Sequence, residues 1–117
     1  MPQIYHLEIT SPEPENSVQF YEDVFDWRSM KKAAKNEEYW ILHTGSGSDV
    51  HCGVKRRTRP ADRLVPHIEV NSMDEYEKKI VQHGGKSLAP RQKIPGTGVI
   101  QYFEDPAGNT LCLVEKG

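Results

Sequence analysis

Residues His6-Leu7-Glu8-Ile9-Thr10-Ser11 return as His67-Ile68-Glu69-Val70-Asn71-Ser72, 61 positions later in a chain of 117 residues. Each copy alternates apolar and polar side chains, the period of a β-strand, and each runs into a segment with helical spacing. A chain of this length makes one domain with a real core. The repeat therefore predicts two equivalent halves of a single fold, and it puts a His/Glu pair on the same face of both repeat strands.

Along Ile4–Thr10, Tyr5, Leu7 and Ile9 alternate with Ile4, His6, Glu8 and Thr10. Ser11-Pro12-Glu13-Pro14 ends that strand and opens a helix with Pro14 at its first position. Val18, Phe20, Tyr21, Val24 and Phe25 supply the helix with an apolar stripe, and Asp26 closes it. Strands are expected over Trp27–Lys31, Glu38–Thr44 and Val50–Arg56, with Gly45-Ser46-Gly47-Ser48 turning between the last two. Thr58–Arg63 reads as a short connector, so module 1 covers about 1–57 and module 2 about 64–117 of one domain, residues 1–117.

The second half repeats this order. Val65–Asn71 is a strand with Ile68 and Val70 on one face and His67 and Glu69 on the other. Ser72-Met73-Asp74-Glu75 has capping-box spacing, Met73, Tyr76 and Ile80 form a helical stripe, and Gly84-Gly85 ends the helix. Lys86–Ala89, Val99–Phe103 and Thr110–Val114 close the module, the last hairpin turning at Asp105-Pro106-Ala107-Gly108-Asn109. Each half is therefore βαβββ.

Fifteen basic against seventeen acidic side chains give a net charge of −2, which offers no footprint for nucleic acid or an anionic membrane. Lys55-Arg56-Arg57 is the one basic run and reads as a solvated loop flank rather than an anion site. No stretch reaches membrane-spanning length and no signal-like segment opens the chain. Cys52 and Cys112 form no C-x-x-C pair, so both read as small buried hydrophobes in a cytoplasmic protein.

Two βαβββ halves, together with Phe20-Tyr21-x-x-Val24-Phe25-x-Trp27, Gly84-Gly85-Lys86, and Ile94-Pro95-Gly96-x-Gly98 ahead of Tyr102-Phe103-x-Asp105-Pro106-x-Gly108-Asn109, resemble the vicinal oxygen chelate superfamily. That superfamily includes glyoxalase I, bleomycin-resistance proteins and extradiol dioxygenases. The resemblance spans essentially the whole chain. It implies an α+β fold in which two βαβββ modules form a curved mixed sheet around a cavity, with helices on the convex side. Combined with the alternation, it implies that Tyr5, Leu7, Ile9, Ile68 and Val70 pack on helices. Ile4, His6, Glu8, Val65, His67 and Glu69 are then expected to line the cavity. It further implies a small-molecule ligand and a homodimer.

His6 and His67 are the candidate metal ligands, with a divalent ion as the cofactor they would hold. A carboxylate from the last strand would complete such a site, but Glu115 shares a face with Leu111 and Leu113 and is expected on the helix side. By the resemblance, the family's metal-binding positions fall on Ile4, Val65 and Cys112, so the usual metal site is expected to be absent and no cofactor is required. The candidate acid–base groups are His6 with Glu8 and His67 with Glu69, since a carboxylate beside a histidine can orient it as a general base. Trp40, His51, Tyr102 and Cys112 are candidate ligand contacts, and Tyr39 and Trp27 are further rings that could stack on a planar ligand. Ile94-Pro95-Gly96-Thr97-Gly98 opens no helix and reads as a flap. The expected function is lyase- or isomerase-type proton transfer on a bound small molecule. The alternatives are a non-catalytic protein that sequesters a planar compound and, third, a metal-dependent dioxygenase.

Overall fold

A computed structural model describes residues 2–32, 38–45 and 50–117. The expected tight turn at Gly45-Ser46-Gly47-Ser48 lies mostly outside the described residues. Among the described residues the elements are β1 (Gln3–Ser11), α1 (Pro14–Phe25), β2 (Arg28–Lys31), β3 (Tyr39–His43), β4 (His51–Arg56), β5 (Leu64–Glu69), α2 (Met73–Gln82), β6 (Lys86–Ser87), β7 (Gln92–Ile94), β8 (Gly98–Glu104) and β9 (Thr110–Lys116). The α+β class and the doubled βαβββ order are as the sequence implies, with β7 an added short strand. Two compact units emerge, one of residues 6–65 and one of residues 66–117 joined by the N-terminal residues up to Tyr5.

In the unit of residues 6–65 the strands follow the order β2-β3-β4-β1. The β1 and β4 strands are parallel, with His6 opposite His51 and Glu8 opposite Gly53, while β3 runs antiparallel to β4. Parallel pairing needs a crossover, and α1 begins it. Pro14 occupies the first helical turn, and Asp26 ends the helix in the left-handed region at φ 59°, its N–H bonded to the Glu22 carbonyl. Ile9, Val18, Trp40, Leu42, Cys52 and Val54 form the core, with Leu7, Tyr21 and Trp27 packed against it. Leu7 and Ile9 thus face the helix, as their parity requires.

The apolar stripe expected of α1 is buried only in part. Val18 is inside, but Phe20, Val24 and Phe25 are more than half exposed. Helix α1 has only 12 residues, and its exposed aromatics Phe20 and Phe25 meet Tyr21 and Trp27, which pack on the core. Phe25 stacks on Trp27 at 4.9 Å and Tyr21 stacks on Trp27 at 5.8 Å between ring centroids. The basic run is also engaged rather than simply solvated. Arg56 donates to the Pro12 carbonyl and to Glu38, Arg57 donates to the carbonyl and hydroxyl of Thr10, and Lys55 pairs with Glu8.

In the other unit the order is β5-β9-β8-β6, with β7 also on β8. Val70, Met73, Phe103 and Leu113 are its core, flanked by Ile68, Tyr76 and Ile80. The Ser72 hydroxyl caps α2 by accepting from the Glu75 N–H at 3.2 Å, and Gly84 follows the helix at φ 95°. The expected flap is a hairpin turn. Thr97 N–H bonds to the Ile94 carbonyl at 3.0 Å, Pro95 presets the first turn position, and Gly96 takes φ 81° at the second. That is type II geometry, and it pairs Ile94 with Gly98. In the last hairpin the Asp105 carboxylate accepts from the Ala107 and Asn109 N–H groups, and bonds of this kind hold its pKa below the ordinary carboxylate value.

Glu115 faces the helix, as expected. Its carboxylate accepts the Met73 N–H at 2.5 Å, at the positive end of α2. Glu115→Ala should therefore lower stability by about 1 kcal/mol, the usual cost of losing a helix cap, read as a lower urea midpoint at unchanged slope. An unchanged midpoint would mean that the bond contributes nothing.

Candidate acid–base site

Strand alternation carries the chemistry of the unit of residues 6–65. With Leu7 and Ile9 in the core, His6 and Glu8 stand on the opposite face, and both are buried, at 9% and 3% exposure. The register places Gly53 beside Glu8 on β4, and Ile41 beside Gly53 on β3. Tyr39, two residues before Ile41, lies over Gly53 and reaches across β4. Its hydroxyl oxygen is 2.8 Å from His6 Nε2 and donates to Glu8 Oε2 at 3.3 Å. The Tyr39 and His6 rings are nearly parallel, 18° apart, with centroids at 6.4 Å. Lys55 Nζ sits 3.5 Å from Glu8 Oε1, so the two carboxylate oxygens have different partners.

This arrangement couples the proton positions of the three groups. Tyr39 has one hydrogen, and the Glu8 carboxylate accepts it. With that hydrogen donated to Glu8 the phenol oxygen accepts from His6 and the imidazole hydrogen belongs on Nε2; given to His6 Nε2 instead, it would put the imidazole hydrogen on Nδ1. A base oriented by a second group, itself held by a carboxylate, is the general design of an acid–base site. His51, the register partner of His6, is exposed.

The unit of residues 66–117 holds the second pair in different surroundings. His67 is buried and meets Tyr102 edge-on at 6.2 Å, and Cys112, fully buried, is the register partner of both. Glu69 pairs with Lys116 at 3.5 Å, its side chain 34% exposed. Tyr5 departs from the alternation counted along β1. It belongs with residues 66–117, whereas the chain from His6 onward belongs to the other unit. Its ring lies under Lys116 Nζ at 4.5 Å from the centroid. Burial raises the Tyr5 pKa above the ordinary phenol value, and Cys112 and Glu69 add to the shift.

The repeat offset superposes these surroundings position by position. His6 and His51 correspond to His67 and Cys112, and the ion pair of Lys55 with Glu8 corresponds to that of Lys116 with Glu69. Gly53, however, corresponds to Val114, and Tyr39, the register partner of Lys55, corresponds to Gly98, the register partner of Lys116. Trp40, a candidate ligand contact, lies on the helix side in the apolar core, 7% exposed. Cys52 and Cys112 are both free and buried.

A sequence profile of the Glyoxalase/Bleomycin resistance protein/Dioxygenase superfamily matches residues 3–113. The chain belongs to this superfamily. Similar solved structures include a hypothetical protein from Bacillus halodurans C-125, with a TM-score of 0.71 at 11% identity over 99% of this chain and 95% of that one. Methylmalonyl-CoA epimerase from Mycobacterium tuberculosis gives 0.67 at 12% identity, over 97% of this chain and 87% of that one. A Streptomyces coelicolor methylmalonyl-CoA epimerase in complex with 2-nitronate-propionyl-CoA gives 0.65 at 16%, over 96% and 95%. Identities this low establish the glyoxalase-like fold, not the reaction. No curated protein matches by sequence. No helix among the described residues is long and apolar enough to cross a membrane.

Superfamily membership raises the question of a divalent metal. Each unit brings one pair of nitrogen or sulfur donors into register, His6 with His51 and His67 with Cys112. Among the described residues, no group of three or more His, Cys, Asp or Glu side chains is placed to hold an ion. Two donors fall short of the three or four protein ligands of a zinc or iron site. Among the described residues, neither unit by itself supplies a full metal-ligand set.

Proposed function

We propose that this protein binds a small carbonyl compound and moves a proton on the carbon next to the carbonyl, an isomerase- or lyase-type reaction. The observation that carries the reading is the bonded chain His6–Tyr39–Glu8. In the proposed step His6 Nδ1 takes the proton from carbon and the imidazole becomes an imidazolium. The electron pair of the broken C–H bond moves toward the carbonyl oxygen as an enolate. Tyr39 accepts from Nε2–H throughout, and the Glu8 carboxylate behind it stabilises the positive charge. Returned by His6 from the same face, the proton restores that carbon, and inversion requires a second acid on the opposite face of the enolate.

The similar solved epimerases support this class of chemistry, because their names describe inversion of an acyl-thioester. Thioesters are therefore the first compounds to try, with 2-oxo compounds second. His51, exposed beside His6, is the ligand contact this reading favours in the unit of residues 6–65, and His67, Tyr102 and Glu69 have binding rather than proton-transfer roles.

The test is exchange of the α-proton into deuterium oxide, followed by proton NMR on short-chain acyl thioesters and 2-oxo acids. Wild-type protein should catalyse exchange with at least one class, and His6→Gln should lose it by about 10²-fold or more. Tight binding without exchange by the wild type would favour sequestration. Exchange undiminished in His6→Gln would remove His6 as the base.

A further inference from the structure

Tyr39 and His6 are separated by a whole strand. Side chains on a sheet normally stand upright from it, and a tyrosine standing upright on β3 would not reach β1. Here the Tyr39 ring lies flat across β4, and the residue beneath it is Gly53. A methyl group at Gly53 would sit 2.5 Å from Tyr39 Cζ and 2.7 Å from Cε1, and closer still to the hydroxyl oxygen. Glycine inside a strand weakens it and often marks a place where another group approaches closely. Gly53 has a second constraint consistent with this, since its register partner is Glu8 itself.

We infer that Gly53 is a positioning residue. Its missing side chain opens the path by which Tyr39 bridges His6 and Glu8, and this confines the acid–base device to the first module. The internal repeat supplies the control. The second module keeps the histidine, the glutamate and the lysine, with the same 3.5 Å ion-pair distance. It has Val114 in place of Gly53, fully buried, and Gly98, which has no side chain, in place of Tyr39. The two modules therefore differ in the Gly/Tyr couple and not in the His/Glu pair that the repeat makes conspicuous. Only the catalytic consequence of this inference rests on the proton-transfer reading, because the positioning itself is a property of the unliganded protein.

Nitrogen-15 NMR of the histidine ring tests it, with His6 assigned through His6→Gln and spectra taken where the ring is neutral. Wild type should show His6 in the Nε2–H form. Tyr39→Phe and Gly53→Ala should each move it toward a mixture of tautomers, by the same amount, and the double variant should move it no further. If Gly53→Ala proves too unstable, Gly53→Ala with Tyr39→Ala removes the ring that the new methyl would strike. That double variant should regain stability over Gly53→Ala alone while keeping the mixed tautomer. Wild-type ring shifts in Gly53→Ala, or a double variant no more stable than the single, would overturn the inference. In the exchange assay Gly53→Ala should lower kcat about tenfold or more with KM little changed. Should the tautomer shift occur while no compound exchanges, the positioning stands and the proton-transfer reading falls.

Discussion

Phe103→Ala should cost the fold about 3–5 kcal/mol, the range for emptying a fully buried aromatic site. Phe103 is at 0% exposure on β8, in a cluster with Val70, Met73 and Leu113. Those partners come from three further segments, the end of β5, the start of α2, and β9, so the cavity could close only if all of them moved. Interiors are too densely packed for that to happen at no cost. For a chain of this size the melting temperature should fall by roughly 10–20 °C. The urea midpoint should fall with its slope unchanged. Phe20→Ala is the matched control, since Phe20 is 56% exposed and its loss should stay within about 1 kcal/mol. A loss below about 1 kcal/mol for Phe103 itself would mean that this cluster is not the core of its unit.

The repeat made most of the fold legible because a period-two pattern and its doubled copy leave few alternatives. Leu7, Ile9, Ile68 and Val70 lie in the two cores, and Glu115 lies on the helix side, where its parity with Leu111 and Leu113 puts it. Tyr5 departs from the alternation, its ring lying under Lys116 and outside the cluster that holds Leu7 and Ile9. Apolar residue type was a poorer guide to burial. At a helix end Phe20 meets Tyr21 and Phe25 stacks on Trp27, while Trp40, read as a possible ligand contact, is core. The hairpin at Ile94–Gly98 was present in the sequence as Pro95-Gly96, a turn dipeptide overshadowed by the glycines around it.

The candidate site was legible as residue types and not as connections. His6 and Glu8 stood out because the repeat singles them out. Tyr39 did not, because a bond across an intervening strand leaves no sequence period. One signal was available: aligning the halves sets Gly53 against Val114 and Lys55 against Lys116, so the lysines are part of the repeat and the glycine is a departure from it. A glycine within a strand pattern asks what approaches it, and here the answer is Tyr39.

That connection gives Glu8→Gln the largest expected effect on function. The substitution keeps the shape of the side chain, and the buried position should keep its fold. It changes what the side chain can offer Tyr39. A carboxylate can only accept, and in the proposed arrangement Tyr39 donates to it and accepts from His6. A carboxamide can turn its NH2 toward the phenol oxygen, and Tyr39 is then free to donate to His6 Nε2. The imidazole hydrogen moves to Nδ1, and the atom proposed as the base loses its lone pair. The negative charge that stabilises the imidazolium is removed as well. Exchange of the substrate α-proton should therefore slow by about 10²–10⁴-fold in kcat, with KM little changed and the far-ultraviolet circular dichroism preserved. Nitrogen-15 spectra should show His6 as the Nδ1–H tautomer. Glu69→Gln is the internal control: its side chain is 34% exposed and Gly98 stands where a bridging tyrosine would be, so its effect should be a few-fold at most. Equal losses in the two variants would show that the modules share the chemistry. A Glu8→Gln protein that exchanges at the wild-type rate would end the acid–base assignment.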